Sequence, residues 1–153
     1  MQLTENFSLH EMTKSEAALR RGIDNTPDDD ALENLTRLCA NVLQPIRDNL
    51  GPVKVNSAYR GPEVNAAVGG AKKSDHMTGC AADIEIPGMP NAELAEWIKA
   101  NLEFRQVILE FYTPGIPDSG WVHVSYDEND LKCQCLTAVK EDGKTVYLNG
   151  LVA

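Results

Sequence analysis

Apolar residues in the first third of the chain recur about every three to four positions, which is the spacing of one buried helix face. The clearest run covers residues 32–46 and predicts a long helix. Thr26 and Pro27 favour the start of this helix, because threonine caps helices and proline suits their first position. Gly51 favours its end, and Pro45 is expected to bend its last turn.

Shorter helices are predicted on both sides of this long one. Two Ser/Thr-x-x-Glu capping boxes, at residues 8–11 and 13–16, predict two short helices, and Gly22 closes the second. Further helical turns are predicted over residues 62–68. Another helix is predicted to begin at Asn91, which is a candidate cap.

From residue 53 onward the period changes to the alternation that is typical of half-buried strands. Six strands are predicted, at residues 53–57, 82–86, 106–112, 121–126, 132–139 and 144–148. Glu141-Asp142-Gly143 between the last two is a hairpin signal. Because helices come first and strands cluster later, we predict an α+β fold in which N-terminal helices pack on a mainly antiparallel sheet.

Length and charge narrow the range of functions. The 153 residues suit one domain, 1–153, with a sizeable core, and we expect a monomer. No apolar run approaches the roughly 20 residues of a membrane span, so we expect no membrane partner. The net charge of −9 argues against nucleic acid, because phosphate binding requires a basic surface. The first residues lack the basic and apolar regions of a signal peptide, so we expect synthesis in the cytoplasm.

Candidate chemistry is concentrated in two histidines and one aspartate. His76 and Asp83 are seven residues apart, and Gly79 between them allows a sharp turn. Strand alternation puts Asp83 and His123 on polar strand faces, so they can meet if their strands are neighbours. Two imidazoles and one carboxylate form a three-ligand zinc site with one position left for water, which is typical of a hydrolase. From spacing alone, structural hydrogen bonding explains these residues equally well.

A resemblance to a known family strengthens the metal interpretation. Ser74-x-His76-x-x-Gly79-x-Ala81-x-Asp83 resembles the signature of the zinc peptidoglycan peptidases of metallopeptidase family fifteen. Three further pieces are similar to family segments: Ser57-Ala58-Tyr59-Arg60, Asn65 with Gly69-Gly70, and Trp121-Val122-His123-Val124. The resemblance covers about residues 8–126.

The resemblance implies a fold and an activity. The implied fold is hedgehog/D-Ala-D-Ala peptidase-like, with an open zinc site on the sheet. The implied activity is zinc-dependent hydrolysis of a peptide bond in the peptidoglycan stem peptide. The family includes zinc D-Ala-D-Ala carboxypeptidases, D-Ala-D-Ala dipeptidases and phage L-alanyl-D-glutamate endolysins, and this chain looks like subfamily A. Which of these bonds is cut stays open.

The resemblance also implies residue roles. The implied ligands of Zn²⁺ are His76, Asp83 and His123. The implied substrate-binding residues are Tyr59, Arg60, Ser74 and Trp121. Arg60 would in addition be catalytic, because a positive group beside the metal stabilises an oxyanion or holds a substrate carboxylate. Without the resemblance, Arg60 reads as a solvated arginine in a turn.

The resemblance leaves the catalytic carboxylate open, because many family members have a glutamate three residues before the second histidine and this chain has Gly120 there. Two replacements are within reach, Glu110 and Asp118. Glu110 is preferred, because a carboxylate in so apolar a strand is seldom buried without a partner and would lie near His123 if the strands pair. The alternatives are a solvated charge for Glu110 and an ordinary loop residue for Asp118.

Two functional hypotheses follow. The first is a zinc peptidase that acts on bacterial peptidoglycan, either as a phage or prophage lysis protein that reaches the wall after release or as a protein carried in a virion. The second is a non-catalytic, zinc-stabilised module that binds the cell wall or assembles in a virion. Gly120 keeps the second hypothesis open. A plain α+β interaction domain without metal would require the motif match to be accidental.

Overall fold

In the computed structural model, which describes residues 1–152, six strands form one sheet: β1 (Lys54–Ser57), β2 (Ala81–Glu85), β3 (Gln106–Glu110), β4 (Trp121–Ser125), β5 (Gln134–Glu141) and β6 (Lys144–Asn149). Their order across the sheet is β1-β2-β4-β3-β5-β6. Neighbouring strands are antiparallel except β3 and β5, which are parallel. The predicted α+β class is confirmed, and the sheet is mixed.

The position of β5 in the sheet follows from the pairing of β4. This strand already has β2 on one side and β3 on the other, so the next strand along the chain must pair at a free edge. β5 pairs beside β3, with Ile108 opposite Leu136. The predicted hairpin then adds β6, since Asp142 and Gly143 both have the positive φ angles (50° and 76°) that a tight hairpin turn requires.

Six helices accompany this sheet: α1 (Leu9–Thr13), α2 (Glu16–Arg21), α3 (Asp29–Leu38), α4 (Gln44–Leu50), α5 (Pro62–Ala67) and α6 (Asn91–Asn101). Two irregular helical segments complete them, a π-helical turn at Cys39–Leu43 and a 3₁₀ turn at Asp75–Thr78. Gly51 ends α4 with a φ of 97°, as predicted. Pro45 was expected to bend the last turn, but the irregularity lies just before it. There the Gln44 N–H donates to Cys39 O, five residues back, and the helix widens into the π-helical turn.

Three of the predicted caps are wrong. Ser15 rather than Thr13 caps α2, because its hydroxyl accepts the Ala18 N–H at 3.2 Å. Asp28 rather than Thr26 caps α3, since its carboxylate accepts the Ala31 N–H at 2.8 Å. The third is Asn91: it begins α6 without capping it, and its buried amide donates to the Ser119 and Gly120 carbonyls.

The two faces of the sheet have different partners. One face carries the buried apolar side chains that pack with the helices, among them Ile84, Leu109, Val122 and Val124. The alternate positions carry Asp83, Glu110 and His123 on the opposite face, as the predicted alternation required. This second face forms the floor of a cleft.

The helices and sheet share one cluster of buried apolar side chains. The assignment of residues 1–153 to a single domain stays a prediction. Within residues 1–152, no helix is long and apolar enough to cross a membrane.

Candidate metal centre and catalytic cleft

Strand register brings the predicted aspartate and second histidine together. In the antiparallel pair β2 and β4, Asp83 lies directly opposite His123. The Nδ1 atom of His123 is 3.1 Å from Oδ1 of Asp83. β2 and β4 are therefore neighbours, which the sequence analysis had to assume. The side chains of Asp83 and His123 both lie on the cleft face of the sheet.

His76 reaches the same point from the 3₁₀ turn that precedes β2. Ser74 caps this turn, since its hydroxyl accepts the His76 N–H at 3.2 Å. Gly79 ends it with a φ of 78°, and a Cβ there would lie 2.4 Å from Ala31 O in α3. Only glycine lets the turn pack this closely against the helix. His76 Nε2 consequently lies 3.3 Å from Asp83 Oδ1.

The tautomer of His76 is set by the backbone. Its Nδ1 lies 2.6 Å from Ala58 O, a carbonyl that can only accept, so Nδ1 carries the proton. The lone pair of Nε2 is thereby free for a ligand on the Asp83 side. A metal-binding histidine is commonly oriented in this way, by a hydrogen bond from its other ring nitrogen.

The donor set fits a zinc ion. One ligand atom from each of His76, Asp83 and His123 lies within 4.8 Å of the others. Bonds of about 2.0–2.2 Å at tetrahedral angles separate neighbouring ligand atoms by roughly 3.3–3.6 Å. The two contacts to Asp83, at 3.1 and 3.3 Å, are close to that separation. Two imidazole nitrogens and one carboxylate oxygen are also a set that zinc prefers.

Charge complementarity holds this set together. Burial alone would raise the pKa of Asp83, but the imidazoles of His123 and His76 that contact its carboxylate hold it below its usual range. Burial alone would lower the pKa of His123, but the hydrogen bond and charge of Asp83 raise it. The carboxylate therefore stays ionised, as a metal ligand must be.

Glu110 lies beside this cluster. It is opposite Trp121 in the β3–β4 pair, one step along the same face from His123, which is opposite Ile108. Trp121 Nε1 donates to Glu110 Oε2 at 2.6 Å. Burial, followed by the charge of Asp83, raises the pKa of Glu110 above its usual value. The carboxyl is thus oriented and adjusted toward proton exchange.

The structure explains why a glutamate is missing at position 120. Gly120 has a φ of 65°, and a Cβ there would lie 1.9 Å from Glu110 O and 2.8 Å from the Phe111 carbonyl carbon. No side chain fits at this position without moving the end of β3. The carboxylate is available instead from the neighbouring strand, at Glu110.

Two predicted site residues are not brought to the cluster. Asp118 is exposed and lines a separate recess with Lys54 and Pro87. Tyr59 is buried in the core, where its N–H donates to Met12 O, and burial raises the pKa of its phenol. Neither residue lines the cleft that contains the cluster.

Arg60, Ser74 and Trp121 do line that cleft, which has a volume of about 670 Å³. The N–H of Arg60 donates to His76 O at 3.0 Å, so the arginine is tied to the turn that carries the histidine. Its Nε is buried and has no hydrogen-bond partner within residues 1–152. The Arg60 side chain is therefore held in the cleft wall with one guanidinium donor unpaired.

Several residues that support the site were not predicted from the sequence. Asn25 fixes the backbone around Arg60: its amide donates to Tyr59 O at 3.1 Å, and its oxygen accepts the Gly61 N–H at 2.9 Å. Arg105 pairs with Asp75 in the turn that carries His76. No motif marks these residues, because the partners are far apart in the chain.

The last 27 residues that the structure describes, 126–152, contribute the far wall of the cleft. Lys140 on β5 and Thr145 and Tyr147 on β6 line it. Lys140 Nζ donates to Thr145 Oγ1 at 3.2 Å and lies 5.3 Å from the Phe111 ring centroid. No family segment suggested this wall in advance.

A His–Asp–His donor set, in which His76 and Asp83 are buried and His123 is half-buried, lies in an open cleft with an oriented glutamate beside it, which is typical of a metal-dependent hydrolase. The comparison with protein families agrees, since the family model for Peptidase M15 matches residues 5–125. The chain belongs to the peptidase M15 family. Peptidases of this family are zinc-dependent. A search of curated proteins found no match.

Proposed function

We propose that the protein is a zinc-dependent peptidase that hydrolyses a bond in the stem peptide of bacterial peptidoglycan. The observation that carries this proposal is the meeting of three donor atoms within 4.8 Å of one another, with Glu110 on the adjacent strand. Membership of the M15 family supports the metallopeptidase class. The peptidoglycan substrate rests on the motif resemblance.

In this proposal His76, Asp83 and His123 hold the ion. Zinc bound by them would polarise the scissile carbonyl and lower the pKa of a water molecule. Ionised Glu110 accepts the proton of the attacking water and delivers it to the leaving amine. The raised pKa of Glu110 suits both halves of this transfer.

The remaining cleft residues bind and orient the substrate. Arg60 offers a guanidinium for the oxyanion or for a substrate carboxylate. Trp121 holds the Glu110 carboxylate through its ring N–H and presents its ring to the cleft. Ser74 acts mainly through the turn that it caps.

We further propose the fold type, the bond that is cut and the place where the protein acts. The fold is of the hedgehog/D-Ala-D-Ala peptidase type, and the cut bond is either that of a D-Ala-D-Ala carboxypeptidase or that of an L-Ala-D-Glu endopeptidase. The protein acts as a monomer, on the wall after release from the cytoplasm or from a virion, as a phage or prophage lysis protein does. Its partner is the wall peptide rather than nucleic acid or a membrane.

Mass spectrometry of digested peptidoglycan tests the proposal. Zinc-loaded protein should generate new amino termini at one kind of bond, and chelation or His76→Ala should stop the reaction. Asp118→Ala serves as the control, because Asp118 lies outside the cleft. Zinc binding without turnover would instead support a non-catalytic wall-binding or virion module.

A further inference from the structure

A second groove continues the cleft beyond Arg60. We call it the α2 groove, and it is lined by Lys14, Leu19, Arg20, Lys54, Arg60 and Val68, among others. Its volume is about 650 Å³, similar to that of the cleft. Arg60 and Val68 line both, so the two are continuous on one side of the metal site.

The α2 groove is basic on a strongly acidic protein. Lys14, Arg20, Lys54 and Arg60 line it, whereas Glu16 is the one acidic residue among its lining side chains. None of these four cations forms an ion pair within residues 1–152. Since the whole chain has a net charge of −9, this local excess of positive charge is a distinct feature of the surface.

Apolar side chains are exposed in the same groove. Leu19 is 83% exposed and Val68 is 46% exposed, and both are among the few large apolar residues with this much exposure. Val68 lies where the groove joins the cleft. A ligand that places apolar side chains against Leu19 and Val68 and negative charges against the cations would match both features.

We propose that the α2 groove is a subsite for a carboxylate-bearing segment of an extended peptide substrate, on one side of the bond that is cut. The proposal rests on the proposed peptidase function. A peptide matches better than a long polyanion, because a few carboxylates match the few cations while the remaining acidic surface repels a polymer. Arg60 lies between the subsite and the metal donors and links the two.

The test pairs two synthetic stem peptides that differ only in charge, one with free side-chain carboxylates and one with carboxamides. Their affinities are measured by calorimetry with zinc-loaded Glu110→Gln protein, in which hydrolysis is suppressed. The free acid should bind roughly five- to tenfold more tightly, and Lys14→Ala/Arg20→Ala should reduce this preference to about twofold or less. The matched control is Lys99→Ala/Lys144→Ala, which removes the same charge outside the groove and should leave the preference intact.

The outcomes separate this proposal from the proposed function. If the wild type cleaves the peptides but the preference survives Lys14→Ala/Arg20→Ala, the subsite is wrong and the peptidase function stands. If nothing is cleaved but the preference depends on Lys14 and Arg20, the peptidase function is wrong and the groove still binds carboxylates. If both peptides bind alike and only soluble poly(glycerol phosphate) requires the two cations, the groove binds a wall polymer and the proposal is overturned.

Discussion

The two walls of the cleft differ in how firmly the chain holds their side chains. On the metal side, His76 and Asp83 are buried, and each is fixed by hydrogen bonds. On the hairpin side, Lys140 and Tyr147 are exposed, and within residues 1–152 the side chain of Lys140 forms one hydrogen bond, to Thr145. The first wall has the rigidity that catalysis requires, while the second can adapt to a ligand.

The family match divides the molecule in nearly the same way. It ends at residue 125, the last residue of β4, so the metal side lies inside it and the β5–β6 hairpin lies outside. Substitutions on the metal side should therefore affect the chemical step, and those on the hairpin should affect substrate binding.

Asp83→Ala should have the largest effect. It removes the carboxylate that contacts both imidazoles, so zinc binding should be lost and activity should fall by about 10⁴-fold or more. Metal analysis and a peptide-cleavage assay measure the two effects. A variant that keeps its zinc and half of its activity would show that the ligand set is wrong.

Glu110→Gln should separate proton transfer from metal binding. Glutamine can still accept the Trp121 N–H but cannot accept a proton, so kcat should fall by about 10²- to 10⁴-fold with zinc content unchanged. Asp118→Asn, in the separate recess, should leave kcat unchanged. The opposite pattern would make Asp118 the base.

Gly120→Ala should destabilise the metal side of the cleft. The new Cβ would lie 1.9 Å from Glu110 O, so we expect a loss of about 3 kcal/mol or more in the free energy of unfolding. Gly22→Ala is the matched control, since it has the same φ of 65° with no atom within 4 Å, and should cost about 1–2 kcal/mol. Urea denaturation gives both values, and equal losses would argue against the close approach.

Lys140→Ala/Tyr147→Ala should affect binding alone. Both side chains are exposed in the cleft wall, so KM should rise roughly three- to tenfold while kcat stays within about twofold. Lys144→Ala on the same hairpin does not touch the cleft and should leave both constants unchanged. A fall in kcat as large as that of Glu110→Gln would contradict the claim that the hairpin wall affects substrate binding alone.

Trp121→Phe should produce the smallest change, a shift in the pH profile. The indole N–H stabilises ionised Glu110 and lowers its pKa, against the larger effect of burial, which raises it. Because Glu110 accepts a proton only when ionised, kcat/KM should rise with pH through this pKa. Removing the donor raises the pKa, so the acid limb should move to higher pH. Phe111→Leu, which removes the ring contact but keeps the donor, should leave the limb in place.

Much of the metal centre was predictable from local pattern. Alternation along β2 and β4 assigned Asp83 and His123 to polar faces without knowledge of their partners, and Gly79 indicated the turn that carries His76. The pairing of β2 with β4 was not predictable, because register and neighbour depend on which strands are already paired. The motif resemblance supplied that information indirectly.

The rest of the site depends on contacts between distant segments. Gly120 looked like a departure from the family pattern, and only its approach to Glu110 O shows why glycine is required. Thr26 and Asp28 both have side chains that can cap a helix, and only the observed start of α3 at Asp29 identifies Asp28 as the cap. The cleft wall formed by Lys140, Thr145 and Tyr147 follows from the parallel pairing of β5 with β3, which strand periodicity does not encode.

Zinc content, measured by elemental mass spectrometry beside peptide cleavage, most directly tests the proposed roles of the three ligands and Glu110. We expect about one zinc per chain in the wild type and in Glu110→Gln, and none in Asp83→Ala. Only the wild type should cleave the peptide efficiently. Undiminished cleavage by zinc-free wild type or by Asp83→Ala would contradict a metal centre built from His76, Asp83 and His123.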